Sequence, residues 1–188
     1  MTKQQQRAEI KERLRLMTRS DREAFSHVIC QRLSGLPELE NAHVVFSYLA
    51  TDEETNVDEF NRILTERGIV VCFPVIRGEN MEAYYSPQEN FTLNGYGIRE
   101  PERHASILID REAIDLVIVP CVGFDERMNR LGHGKGYYDR YLEGLEVPKV
   151  AVAFEAQKLE HVETSVNDVI MNKIITEADV YRFIELMG

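Results

Sequence analysis

Four short runs of nearly continuous apolar, β-branched residues constrain the fold more than anything else in the chain: residues 43–49 (HVVFSYL), 69–76 (IVVCFPVI), 115–119 (DLVIV) and 149–154 (KVAVAF). Strands apolar on both sides belong to a parallel sheet covered on both faces. Between the first two lies VDEFNRILTERG, where Val57, Phe60, Ile63 and Leu64 make a helical stripe and Gly68 supplies a C-terminal cap, which completes one βαβ unit. Two amphipathic helices are expected ahead of the sheet, one over residues 3–17 with Ile10, Leu14 and Met17 on one face, the other carrying Phe25, Val28, Ile29, Leu33 and Leu36. They read as an antiparallel pair. Thr18, three residues before Asp21, caps the second, and Gly35 and Pro37 end it. Residues 81–85 alternate as an added strand, and residues 87–101, with Asn94, Gly95 and Gly97, read as a long ordered loop. The expected fold class is α/β: a mostly parallel central sheet flanked by helices, a Rossmann-like three-layer single domain over 1–188 with two N-terminal helices. Ligands of such sheets bind at the carboxyl ends of the strands.

Charge narrows the partners. With 22 Lys and Arg against 32 Asp and Glu the net charge is −10, which argues against a generic binder of nucleic acid or of anionic membranes. Cys30, Cys72 and Cys121 are far apart and form no CxxC pair, as expected of reduced thiols in a cytoplasmic protein. No stretch approaches the roughly 18 apolar residues of a membrane span. The five histidines lack HxxxH or HExxH spacing, so a zinc site built on imidazoles is not expected, while a magnesium site of carboxylates stays open.

The chemistry concentrates in residues 120–142, PCVGFDERMNRLGHGKGYYDRYL, directly after the third strand. Gly132, Gly134 and Gly136 alternate with His133 and Lys135 and lead into a helix starting at Tyr137. Positions without Cβ let successive N–H groups converge on an anion, and a helix start adds its positive dipole end. Arg130 and Lys135 bring two cations to a phosphate. An acid at Asp139, one turn into the helix, would repel that phosphate unless a divalent cation lay between them. The spacing GxGxG is neither the dinucleotide fingerprint GxGxxG nor a P-loop, so the glycines alone point to an anion without saying which. A tight turn or a close backbone crossing, which explains many glycine clusters, is the structural alternative. A nicotinamide-dependent oxidoreductase would use Glu155 as its ribose acid, and a non-catalytic phosphate-binding module is a third reading.

The segment FDERMNRLGHGKGYYDRYL resembles the signature of the 5-formyltetrahydrofolate cyclo-ligases, also called 5,10-methenyltetrahydrofolate synthetases. The similarity runs through KQQQR at the N-terminus, Glu54 in DEETN, Phe73 and Pro74, Glu100 and Pro101, residues 153–157 (AFEAQ), and Asn167 with Asp168. It implies an enzyme that uses ATP with Mg2+ to convert 5-formyltetrahydrofolate into 5,10-methenyltetrahydrofolate, releasing ADP and phosphate, as a monomer or weak homodimer. Carried over by position, Lys3, Arg7, Arg130, Leu131, Gly132, His133, Gly134, Lys135, Gly136, Tyr137 and Tyr138 surround ATP. Leu49, Glu54, His133, Gly134, Lys135, Gly136 and Tyr137 face the folate. Lys135 is the catalytic cation, and Asp139 and Asp168 hold the metal. Residues 1–19 carry six basic side chains against two acidic ones, which suits a polyanion although it equally suits a solvated helix. By itself the acidic run 52–54 reads as a helix cap, and only the resemblance singles out Glu54. Three positions depart from the family pattern: Met128 where Gly is frequent, His133 where Arg is frequent, and Asn172 where Asp is frequent. Against that pattern, His133 leaves less fixed charge at the phosphate site than an Arg would. Asn172 would weaken a supporting metal contact.

Overall fold

In a computed structural model the described residues are 1–183, so the last five positions of the expected 1–188 unit lie outside them. Helix α1 (Lys3–Arg15) begins at a reciprocal capping box: the Gln5 N–H donates to the Thr2 hydroxyl and the Thr2 N–H to the Gln5 side chain. Helix α2 (Arg19–Ser34) starts at Thr18, whose hydroxyl accepts from the Asp21 N–H, and ends at Gly35. Then come β1 (Val44–Phe46), α3 (Asp58–Glu66), β2 (Val70–Arg77), β3 (Asn80–Tyr85), β4 (Phe91–Leu93), β5 (Arg99–Pro101), β6 (Ile107–Ile109), β7 (Leu116–Pro120), β8 (Gly123–Phe124), β9 (Arg130–Leu131), α4 (Tyr137–Leu142), β10 (Lys149–Val152), β11 (Lys173–Ile175) and β12 (Val180–Arg182).

Eight strands form one sheet in the order β12-β11-β10-β7-β1-β2-β3-β6. β11, β10, β7, β1 and β2 are parallel, and β12, β3 and β6 add antiparallel edges. Because side chains alternate along a strand, each continuous apolar run feeds two cores. Val45, Leu116, Ile118 and Val150 meet Ile10, Ile29, Leu33, Phe60 and Leu64 of α1, α2 and α3 on one face. Phe46, Val117, Val119 and Ala151 meet Leu142, Met128 and Met171 on the other. Each buried aliphatic side chain contributes about 1.5–3 kcal/mol. The parallel α/β sheet and its helical layers agree with the sequence.

The two N-terminal helices share one core, with Ile10 and Leu14 in the same cluster as Ile29 and Leu33, and each has further partners: α1 lies on β8 and the 3-10 turn Glu155–Gln157, α2 on α3 and β11. One expectation is corrected: the stretch 87–101 is not a long ordered loop throughout, since β4 and β5 pair antiparallel as a hairpin whose turn is organised by Asn94. The Asn94 side-chain oxygen accepts from the Tyr96 and Ile98 N–H groups, and Gly97 takes φ +73°.

Topology places a crevice. The chain leaves β1 through α3 to β2 on one side, then returns after β6 to run β7 along the other side of β1. The segments after β1 and β7 therefore diverge, and a doubly wound sheet binds ligands at such a switch point.

The three thiols are buried and unpaired with one another. Burial pushes Cys30 up to about 11, and Cys72 and Cys121 up to about 12. Raised folded-state values favour the neutral thiol, so this stability is complete below the ordinary value near 9 and is lost as pH rises through 11 to 12. Urea unfolding between about pH 8 and pH 11 should show a loss of roughly 3 kcal/mol per thiol over the full window, and Cys72→Ala should flatten the slope. A pH-independent midpoint would contradict it.

Candidate functional site

At the crevice the chain after β1 turns inward instead of starting a helix. The Tyr48 hydroxyl donates to the Thr55 carbonyl (2.6 Å), and Asn61 of α3 joins the Ser47 hydroxyl to the Tyr48 carbonyl. This pinning presents Glu54 to the cavity with its side chain only 9% exposed. One Glu54 oxygen accepts from the Thr51 N–H (2.8 Å) and the other lies 3.1 Å from His133 Nε2. The acidic run does not cap α3, which begins four residues later at Asp58.

The opposite wall is the glycine loop. Gly134 and Gly136 have φ of +104° and +72°, a backbone region costly for any residue with a Cβ. The glycines also admit guanidinium groups: a Cβ on Gly134 would sit 3.3 Å from Arg7, and one on Gly132 3.0 Å from Arg130. Arg7 Nε donates to the Gly132 carbonyl (2.7 Å), which fastens α1 to the loop. α1 is held down by buried Gln6, which donates to the His161 carbonyl and accepts from the Glu163 N–H. Lys3, one turn before Arg7, pairs with Asp168 at 2.6 Å. Lys3 and Arg7 of the basic N-terminal helix thus line the crevice rather than standing free in solvent.

Arg130, in β9, is almost fully buried; its Nε donates to the Pro120 carbonyl, and its guanidinium lies over the Tyr138 ring and 4.0 Å from Asp139. Asp139 also accepts from the Val169 N–H, which ties the segment around residues 165–169 to α4, and Asp168 accepts from the Ser165 N–H within that segment. Burial, then the charge of Glu54, raises the Tyr138 phenol far above its ordinary value, so it remains protonated. Lys135 is exposed at the mouth.

These walls enclose a cavity of about 880 Å³. That is large among small-molecule sites, roughly 300–1,000 Å³, and leaves room for more than one ligand. Every proposed site residue but one lines it: Lys3, Arg7, Leu49, Glu54, Arg130, Gly132 to Asp139, and Asp168. The exception is Leu131, whose side chain is buried in the core beneath α1 while its backbone pairs with β8. Helix α4 has only six residues, so its dipole adds less than the sequence suggested. Asn172 bonds the Lys149 backbone between β10 and β11 and does not line the cavity, so its departure from the family pattern does not touch the acidic pair. Met128 explains its own oddity: it sits at φ +68°, where glycine is unstrained, yet its side chain is buried. Glu155 accepts from Tyr181 and Thr176 outside the cavity, which removes the ribose acid of the oxidoreductase reading.

Sequence reasoning missed the third wall. Pro74 and Ile76 of β2, Met81 of β3, and Asn94, Tyr96, Ile98 and Glu100 of the hairpin also line the cavity. Glu100 anchors the hairpin by accepting from the Ile76 N–H (2.8 Å) and the Asn94 side chain (3.1 Å). The residues 91–101 carry no periodic apolar signal, and only the Asn-Gly turn pointed to a hairpin.

A sequence model described as the 5-formyltetrahydrofolate cyclo-ligase family matches residues 1–177. The chain belongs to this family. It is 27% identical over 181 residues to the 5-formyltetrahydrofolate cyclo-ligase of Escherichia coli K12, covering 93% of this chain and all of that one. It is 23% identical over 188 residues to the cyclo-ligase of Mus musculus, covering 91% of each chain. The NMR structure of Aquifex aeolicus 5,10-methenyltetrahydrofolate synthetase superimposes with a TM-score of 0.86 at 27% identity, covering 100% of this chain and 96% of that one. Among the described residues no helix is long and apolar enough to cross a membrane, and no group of three or more His, Cys, Asp or Glu side chains forms a metal cage.

Proposed function

We propose that this cyclo-ligase family member converts 5-formyltetrahydrofolate to 5,10-methenyltetrahydrofolate at the expense of ATP, in the cavity between β1, β7 and the hairpin. The observation that carries the reading is the convergence of the glycine loop, Lys3 and Arg7 of α1, and the partly buried Glu54 on one cavity. A formyl carbon bonded to N5 is a poor electrophile, and its oxygen is a poor leaving group. Attack of that oxygen on the γ-phosphorus breaks the bond to ADP and makes the oxygen a phosphate ester. N10 of the same folate then attacks the activated carbon, the ring closes as N10 gives up its proton, and phosphate departs with the former formyl oxygen and that proton. Both reacting nitrogens belong to one molecule, so the protein has only to orient it and neutralise charge.

In this reading Lys3, Arg7 and Arg130 balance the triphosphate, the 132–136 backbone cradles it, and Lys135 meets the charge that grows on the transferring group. Glu54 accepts hydrogen bonds from the N–H edge of the reduced pterin, with Leu49 beneath. Asp139 and Asp168 are a donor set that fits Mg2+, which takes one or two carboxylates together with phosphate oxygens and water rather than a full protein cage. Bound there, the ion would neutralise phosphate charge.

The test is direct. Purified protein given 5-formyltetrahydrofolate and ATP with Mg2+ should generate the near-ultraviolet absorbance of the methenyl product, and omission of either ligand should abolish it. Binding of both ligands without product would make the protein a binding module. His133 bears half-exposed on Glu54. His133→Arg would keep that pairing and add a fixed charge beside the loop, so the KM for ATP should fall several-fold at neutral pH. An unchanged KM would leave His133 as a partner of Glu54 alone.

A further inference from the structure

Each of the three alternate glycines leaves room for one guanidinium. A Cβ on Gly132 would sit 3.0 Å from Arg130, one on Gly134 3.3 Å from Arg7, and one on Gly136 only 2.6 Å from Arg140. Arg130 and Arg7 line the cavity, whereas Arg140 is exposed and stands outside it. Its guanidinium lies over the Tyr137 ring, 5.4 Å from the centre, and donates to the Glu79 carbonyl in the turn between β2 and β3. Tyr137 donates to the neighbouring Gly78 carbonyl (3.1 Å), so α4 is fastened twice to that turn. Lys135 sits between Gly134 and Gly136, at φ of +104° and +72°, where a main chain without Cβ is freest to move. Arg7 lies against the first of these glycines and Arg140 against the second, and each guanidinium holds a main-chain carbonyl, of Gly132 and of Glu79. The backbone of Lys135 is thus gripped from both sides while its side chain stays exposed.

We infer that Arg140 is a positioning residue: it braces Gly136 and so fixes the place from which Lys135 meets the transferring phosphoryl group. This rests on the proposed function. Arg140 lines no part of the cavity, so it acts through Lys135 and not on the ligands. A charge stabilises a transition state best when it is already in place, and a displacement of about 1 Å costs about 10²-fold in rate. Losing one of two braces should therefore lower kcat, though by less than losing the lysine. The competing reading is that Arg140 is a distant cation that draws ATP to the loop. Any cation would then serve, and its loss would raise the KM for ATP instead. The planar group stacked on Tyr137 argues for the brace, because an ammonium cannot reproduce that contact.

Steady-state kinetics of Arg140→Ala should show kcat lowered about tenfold, with the KM for ATP and for 5-formyltetrahydrofolate within about twofold of wild type. Arg140→Lys, which keeps the charge but not the plane, should recover less than half of the loss. In a Lys135→Ala background the same Arg140→Ala change should lower kcat by less than about twofold, because the group it positions is gone. Backbone 15N relaxation of the ligand-free protein reads the brace without catalysis: order parameters at Lys135 and Gly136 should fall from about 0.85 to about 0.6 in Arg140→Ala. Additive losses in the double variant, an effect confined to the KM for ATP, full rescue by lysine, or unchanged order parameters would each overturn the inference. Wild-type protein that makes no methenyl product would instead overturn the proposed function, which separates the two failures.

Discussion

Lys135→Ala should lower kcat by about 10² to 10³-fold, the cost of removing one preorganised charge from a developing oxyanion. Lys135 is exposed, lines the cavity, and sits between two glycines with left-handed backbone, so its Cα is carried by the loop itself. It forms no hydrogen bond or ion pair among the described residues, unlike Lys3 with Asp168 or Arg130 with Pro120. Its charge is therefore not committed to holding the fold. Deletion should leave the unfolding midpoint within about 1 °C of wild type, since surface substitutions away from structural features are nearly neutral. A group that acts on the transferring phosphoryl lowers kcat and kcat/KM together, whereas one that only binds ATP raises its KM. Rapid-quench measurement of product formation separates the two. A kcat within fivefold of wild type would demote Lys135 to a binding contact.

Asp125→Ala should cost about 4 kcal/mol of stability, the range for stranding several buried donors at once. The Asp125 carboxylate is 1% exposed and accepts four hydrogen bonds. Three come from the Arg127 and Asn129 N–H groups and the Asn129 side chain, closing the turn after β8. The fourth, from the Val162 N–H at 2.9 Å, fastens that turn to the segment that also receives Gln6 of α1. One carboxylate thus supports both Arg130 and the helix that carries Lys3 and Arg7. At about 2–4 °C per kcal/mol for a chain of this size, the unfolding midpoint should drop by roughly 10 °C. Asp125→Asn keeps one acceptor oxygen and should lie between. A drop under 2 °C in the alanine variant would mean that the turn holds itself.

The strands could be read because a parallel sheet buried on both faces demands runs such as DLVIV, and little else in a chain does. The loop's backbone could be read because alternate glycines mark positions such as Gly134 and Gly136, whose positive φ a residue with a Cβ adopts only at a cost. Asp125 could not, for an acid in a polar turn looks the same whether it meets water or four N–H groups. Nor could the pairing of Glu54 with His133 be read, 79 residues apart and joined only by the return of the chain from β6 to β7. Leu131 shows the limit of reading a motif by position, since its side chain lies in the core rather than in the cavity. A position inside a signature motif can serve the core, and only the direction of its side chain tells which.

The position of the triphosphate decides between these roles and their alternatives. A crystal structure of the protein with a non-hydrolysable ATP analogue, Mg2+ and 5-formyltetrahydrofolate should show the terminal phosphates against the Gly134–Gly136 backbone, with Lys135 and Arg7 beside them and the formyl oxygen facing the γ-phosphorus. Phosphates bound away from that loop, or a formyl group turned from them, would contradict it.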